Sequence, residues 1–169
     1  MHPNVVALDA ALAQAATQRV REFLGYMRRI HPADRLPARA AFDPAALAPL
    51  LANVVLVEVA RQDPGRPPRI FVRVAGQAVL DASQQIKMNR YLDETLESPA
   101  NMAPLDARSD AVATGITQFW RGAPRIRFRL DFIDTIELAH CPLADDGRTV
   151  DRIVSIIDYG VDRDGGARS

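Results

Sequence analysis

The sequence predicts an α+β domain: an antiparallel sheet of five strands, short helices wrapping it, and an N-terminal helix. Three observations carry that prediction. First, between Asn53 and Gly76 two runs rich in Val, Ile and Phe flank Asp63-Pro64-Gly65-Arg66-Pro67-Pro68. β-Branched residues suit strands, and Pro-Gly followed by Pro-Pro cannot continue one, so this stretch reads as a hairpin with a long turn. Second, the first strand places Val54 and Leu56 on one face and Val55, Val57 and Val59 on the other. Both faces are apolar and each needs a cover. Third, the chain before Asn53 is helical in pattern, as is the chain from Gln77 to Thr114, while the last third returns to strands. One helical segment is therefore available for each face of the sheet.

Taken in order, the first element is a helix from about Val5 to Ile30, with Asn4 as its candidate N-cap and Pro32 as its stop. Leu8, Leu12, Ala16, Val20, Phe23, Met27 and Ile30 step by four or three residues and form a narrow stripe close to a heptad seam. Two uses of that stripe are open. It covers the sheet, or Val20, Phe23, Met27 and Ile30 pair with a second copy of themselves in a homodimer. Asp43-Pro44 is a carboxylate cap followed by a residue of preset φ, and it opens a short helix over Ala45–Leu51.

Gly76 ends the second strand. Gln77 to Leu96 holds short helical turns, with Asn89, Arg90 and Tyr91 read as loop. Ser98-Pro99 opens a longer helix whose buried side is Met102, Leu105, Ala111 and Val112, and Gly115 ends it. Ile116–Trp120 and Ile126–Leu130 read as strands. Thr135–Leu143 is a further strand, or a continuation past a bulge near Asp131 to Asp134. Asp145-Asp146-Gly147 is a turn and Val150–Tyr159 the final strand. The domain organisation read from this is a helix over 1–31, a domain over 32–160 and a flexible tail over 161–169.

Composition narrows the function classes. A chain of 169 residues, 48% of them hydrophobic, can bury a core. Twenty-one basic and 21 acidic residues give a formal net charge of zero, which supplies no pull towards nucleic acid or an anionic membrane surface. No apolar run approaches the ~20 residues needed to span a bilayer. The first residues lack the basic patch and apolar segment of a secretory signal. A single cysteine, Cys141, excludes an intrachain disulfide, and a cytoplasmic location fits these features.

No phosphate-binding glycine loop and no G-x-S-x-G elbow is present. Lys87, the sole lysine, reads as a solvated surface residue. His140 and Cys141 are adjacent in a strand, so their side chains leave opposite faces and cannot serve one site. The three histidines, His2, His31 and His140, do not make a metal centre. His140 is the better candidate for a pocket, and Cys141 reads as core. Arg73 lies in an apolar strand with Glu58 on its neighbour, so it forms an ion pair or grips a ligand carboxylate. Tyr91, Trp120 and Phe128 could line an apolar pocket or pack as ordinary core. The candidate ligand-binding set is thus Arg73, Tyr91, Trp120, Phe128 and His140. An enzyme using His140 or Asp134 as a base is the remotest of the readings.

Several motifs carry a resemblance. Leu36-Pro37-Ala38-Arg39 leads to Phe42-Asp43-Pro44, then Leu50-Leu51, Arg73-Val74-Ala75-Gly76, and finally Cys141-Pro142-Leu143-Ala144-Asp145-Asp146-Gly147. This ordered series resembles a proteobacterial family of stand-alone PAS-like proteins over about Arg35 to Gly160. The resemblance implies a PAS-like sheet with small helices wrapping a pocket on one face. It implies a non-enzymatic sensory or regulatory domain that binds a small molecule noncovalently or engages a signalling partner. PAS members that bind haem through a histidine take it from the long helix, and photoactive flavin members need a cysteine in the wrapping helices. Ser98–Thr114 has no histidine and Gln77–Leu96 no cysteine, so no cofactor is expected.

Overall fold

A computed structural model of the chain describes residues 1–83, 85–95, 103–124 and 135–160, with the backbone alone at 103–106. The predicted strand Ile126–Leu130, the bulge near Asp131 to Asp134, the Ser98-Pro99 helix start and the tail over 161–169 lie outside the described residues.

The hairpin forms as the sequence predicts. Strand β1 (Val54–Ala60) pairs antiparallel with β2 (Arg69–Ala75) across the Pro-Gly turn. With β3 (Arg90–Tyr91), β4 (Gln118–Gly122), β5 (Ile136–Leu143) and β6 (Arg152–Asp158) they make one six-stranded antiparallel sheet in the order β3-β2-β1-β6-β5-β4. The sixth strand corrects the predicted five. Arg90 and Tyr91 read as loop, yet Asn89 takes a left-handed φ of 59° and donates its N–H to Val72 O at 2.8 Å. That turns the chain back beside β2, and asparagine tolerates the conformation.

The two faces of the sheet are covered as their patterning requires. One face receives the N-terminal helical segment. That segment is two helices, α1 (Pro3–Gln14) and α2 (Gln18–Ile30), rather than the single helix predicted over Val5–Ile30. The break has a local cause. Thr17 caps α2 by accepting Val20 N–H, and the carboxylate of Glu137 on β5 accepts the N–H groups of Ala16 and Thr17 at 2.9–3.1 Å. These bonds compete with helix continuation and reward a fresh helix start. At the other end His2, not Asn4, is the N-cap of α1: its Nδ1 accepts Asn4 N–H at 3.1 Å.

α2 decides the use of the apolar stripe. Val20, Phe23 and Met27 are at most 1% exposed and pack with Ala139, Cys141, Leu143, Val154 and Ile156 of β5 and β6, while Ile30 packs at the margin. Alanine and cysteine on β5 let the helix sit close to the sheet. The dimer seam proposed for Val20, Phe23, Met27 and Ile30 is therefore corrected. Those side chains are spent on the chain's own core and offer nothing to a second copy.

A 3-10 helix over Pro44–Asn53, started by Asp43 Oδ1 accepting Ala45 N–H, delivers the chain into β1. Gly76, at the end of β2, lies against this helix so closely that a Cβ there would stand 2.2 Å from Leu51 O. The opposite face of the sheet is covered by α3 (Gln77–Ala82), α4 (Leu92–Thr95) and α5 (Ala103–Thr114). Val55, Val57, Ile70, Val72, Ile153 and Ile157 form its apolar floor, and Val79, Ile86, Leu92 and Ala111 close over them.

Candidate functional site

Polar side chains stand out on this second face because the floor is otherwise aliphatic. β5 and β6 place His140 directly opposite Ser155, and His140 Nδ1 lies 2.7 Å from Ser155 Oγ. Both are fully buried, at 2% and 0% exposure. Two residues further along the same face of the chain comes Ile157, then Tyr159 just past the strand, its hydroxyl out of reach of solvent. α5 packs over β4, β5 and β6 and brings down Arg108, at 1% exposure the largest fully buried side chain of those described. Gln85, on the connection after α3, is also buried, and its Oε1 has no hydrogen-bond partner among the described residues.

The electrostatics of this cluster follow from burial. Loss of solvent pulls the Arg108 guanidinium down to about 10, with Tyr159 acting in the opposite direction, so Arg108 stays a cation at neutral pH. Burial first, and the charge of Arg108 second, hold the His140 imidazole well below its ordinary range. Burial raises the Tyr159 phenol, against the pull of Arg108. The interior thus presents a cation, a neutral imidazole bonded to a hydroxyl, and a neutral phenol. That set donates hydrogen bonds to an anion or a carbonyl. Burial, and then the Arg108 charge, disfavours protonating the imidazole within it.

The five sequence candidates separate cleanly. His140 belongs to the cluster. Trp120 lies on the same face of β4, half-buried, with its Nε1 donating to Ala123 O at 3.2 Å. Arg73 and Tyr91 lie on the opposite face. Of the two readings of Arg73 the ion pair holds: beside a register shift between Leu56 and Val57 its side chain is exposed to solvent. There it pairs with Glu58 at 2.6 Å and stacks over Phe71. Tyr91 packs edge-on to Phe71, with Arg69 over its ring at 3.7 Å. Phe128 and Asp134 lie outside the described residues. Cys141 points to the α2 side of the sheet, where burial pushes its thiol up to about 12.

Arg108, Ser155 and Tyr159 were missed. A signal for Arg108 existed: it follows Leu105 by three residues and precedes Ala111 by three, which puts a charge on the buried stripe of its helix. Two surface clefts lie elsewhere, one of 220 Å³ between Pro32–Ala41 and the β5–β6 turn, the other of 370 Å³ at the β1–β2 turn. Neither converges buried polar groups. No group of three metal-ligating side chains occurs among the described residues. No family model, curated protein or solved structure matches the chain.

Proposed function

We propose that the chain is a PAS-like, non-enzymatic sensory or regulatory domain of the cytoplasm that binds a small molecule between the sheet and α3–α5. The observation that carries this reading is the convergence of Arg108, His140, Ser155 and Tyr159 in an otherwise aliphatic interior. Ligand sites are mostly apolar cavities with a few placed polar groups. A ligand with an acidic or carbonyl group complements these donors, with the guanidinium as its strongest contact. The order of hairpin, short helices, long helix and returning strands also supports the PAS-like reading.

A thermal-shift screen of small organic acids and neutral carbonyl compounds tests the proposal. A ligand at a hundredfold excess over its Kd stabilises the fold by about 2.7 kcal/mol. The Arg108→Lys variant keeps the charge, loses the planar fork, and is expected to lose most of that gain. A screen in which every compound shifts wild type and variant equally would count against the site.

One observation favours a second reading, a protein-interaction adaptor. α2 covers the β5–β6 half of its face, while Phe71 and Tyr91 stay partly exposed on the β2–β3 half and Val74 is 50% exposed. An interior filled by the protein's own side chains would favour the adaptor over the sensor.

A further inference from the structure

The N-terminal end of α1 is tied down by polar contacts made at and beside two histidines. His2 N–H donates to Ala33 O at 2.8 Å, and His2 Nδ1 caps the helix by accepting Asn4 N–H. Asn4 is itself buried, and its Oδ1 accepts Thr117 N–H at 2.6 Å, so the cap is locked to the start of β4. The His2 ring lies 5.5 Å from the ring of His31, centroid to centroid. His31 is the C-cap of α2, 8% exposed, with Nδ1 at 2.6 Å from Pro32 O.

These bonds assign both tautomers. A carbonyl oxygen only accepts, so His31 Nδ1 carries the proton, and the buried Nε2 is a bare lone pair without a partner among the described residues. A backbone N–H only donates, so His2 Nδ1 is bare and its proton sits on Nε2. Protonation of His31 spoils this arrangement: it creates a buried N–H with no acceptor among the described residues, beside a second imidazole.

We propose that the contact of His31 with the His2 cap is an acid-sensitive latch: with His31 neutral it holds the start of α1 against the end of α2, and protonation of His31 releases it. Of the charged groups near His31, Arg28 favours this direction. Arg28, one turn back on α2, is a cation bonded to Asp9 of α1 at 2.8 Å. Asp34 and Arg35, past Pro32, are exposed and face each other at 3.7 Å. Burial holds the His31 imidazole below its ordinary value of 6.5, with the Pro32 carbonyl opposing and His2 and Arg28 reinforcing the shift. A histidine lowered by folding stabilises the fold fully above 6.5, and that contribution is lost as pH falls through the lower folded value. The release is confined to α1 because the α1–α2 joint is held separately by Glu137, and it uncovers the flank of α2 that Leu8 and Ala11 bury.

Amide hydrogen exchange between about pH 8 and about pH 5 tests the latch. Protection factors of α1 are expected to fall severalfold, while those of β1, β5 and β6 hold. In the double variant His2→Asn, His31→Gln, which keeps a capping acceptor and cannot titrate, α1 protection should not depend on pH over this range. Should that variant fail to fold, the wild type alone decides: the NMR titration midpoint of His31 must coincide with the loss of α1 protection. Protection of α1 that is independent of pH, that falls in step with the central strands, or that falls equally in the folded double variant, would overturn the latch.

Discussion

At the scale of the residue, the chain's least expected features are its buried polar groups. Glu137 is wholly buried, yet its carboxylate accepts from Ala16 N, Thr17 N and Thr17 Oγ1, with Arg121 at 3.6 Å. Glu137→Leu should cost about 3–5 kcal/mol in urea denaturation, because it orphans several donors at once. A loss under about 1 kcal/mol would show that water replaces the carboxylate without penalty. Cys141 gives a second prediction. A fully buried thiol with its pKa pushed up to about 12 should resist thiol reagents in the native protein and react only on unfolding. Rapid labelling of the folded protein would place the thiol nearer solvent. The sequence could be read for Cys141 as core and for His140 as interior, since adjacent strand residues must part. It could not be read for Ser155 or Tyr159, which are ordinary residues in a final strand until the fold sets them opposite His140 and beneath Arg108.

At the scale of the element, hydrophobic period and turn chemistry were legible, and competition between them was not. The β1–β2 hairpin, the Asp43-Pro44 start, the Gly115 stop and the Asp145-Asp146-Gly147 turn each follow from a few local residues. The helix over Val5–Ile30 was drawn too long because its stripe continues across Ala16, while a carboxylate 121 positions away ends it. The Arg73–Glu58 pair was legible from the neighbouring strands, whereas the register shift beside it was not, since no residue in β2 announces one. The stripe itself yields a test. Phe23→Ala should destabilise by about 3–5 kcal/mol, and Phe23→Glu should give an unfolded or aggregating protein. A folded Phe23→Glu monomer would mean that the side chain is not core. Gly76→Ala forces a Cβ onto the carbonyls of Leu51 and Ala52. It should cost about 1–3 kcal/mol by thermal melting; a neutral outcome would show that the 3-10 helix yields there.

At the scale of the whole molecule, one sheet separates two interiors of different character. The side under α2 is closed by apolar packing and holds the buried thiol. The side under α5 holds a buried guanidinium, an imidazole that burial keeps neutral, and two hydroxyls. The two-cover architecture was readable from the alternation in β1, whereas the difference between the interiors depends on single residues brought together from α5, β5 and β6. No helix of the described residues is long and apolar enough to cross a membrane, and the account of function rests on the α5 side alone. Native mass spectrometry of the purified chain tests that account most directly, alongside the same measurement on Arg108→Lys. The account predicts a small-molecule adduct on the wild type that vanishes on denaturation and is depleted in the variant. A bare wild-type mass that stays bare after incubation with every acid and carbonyl compound of the thermal screen would contradict it.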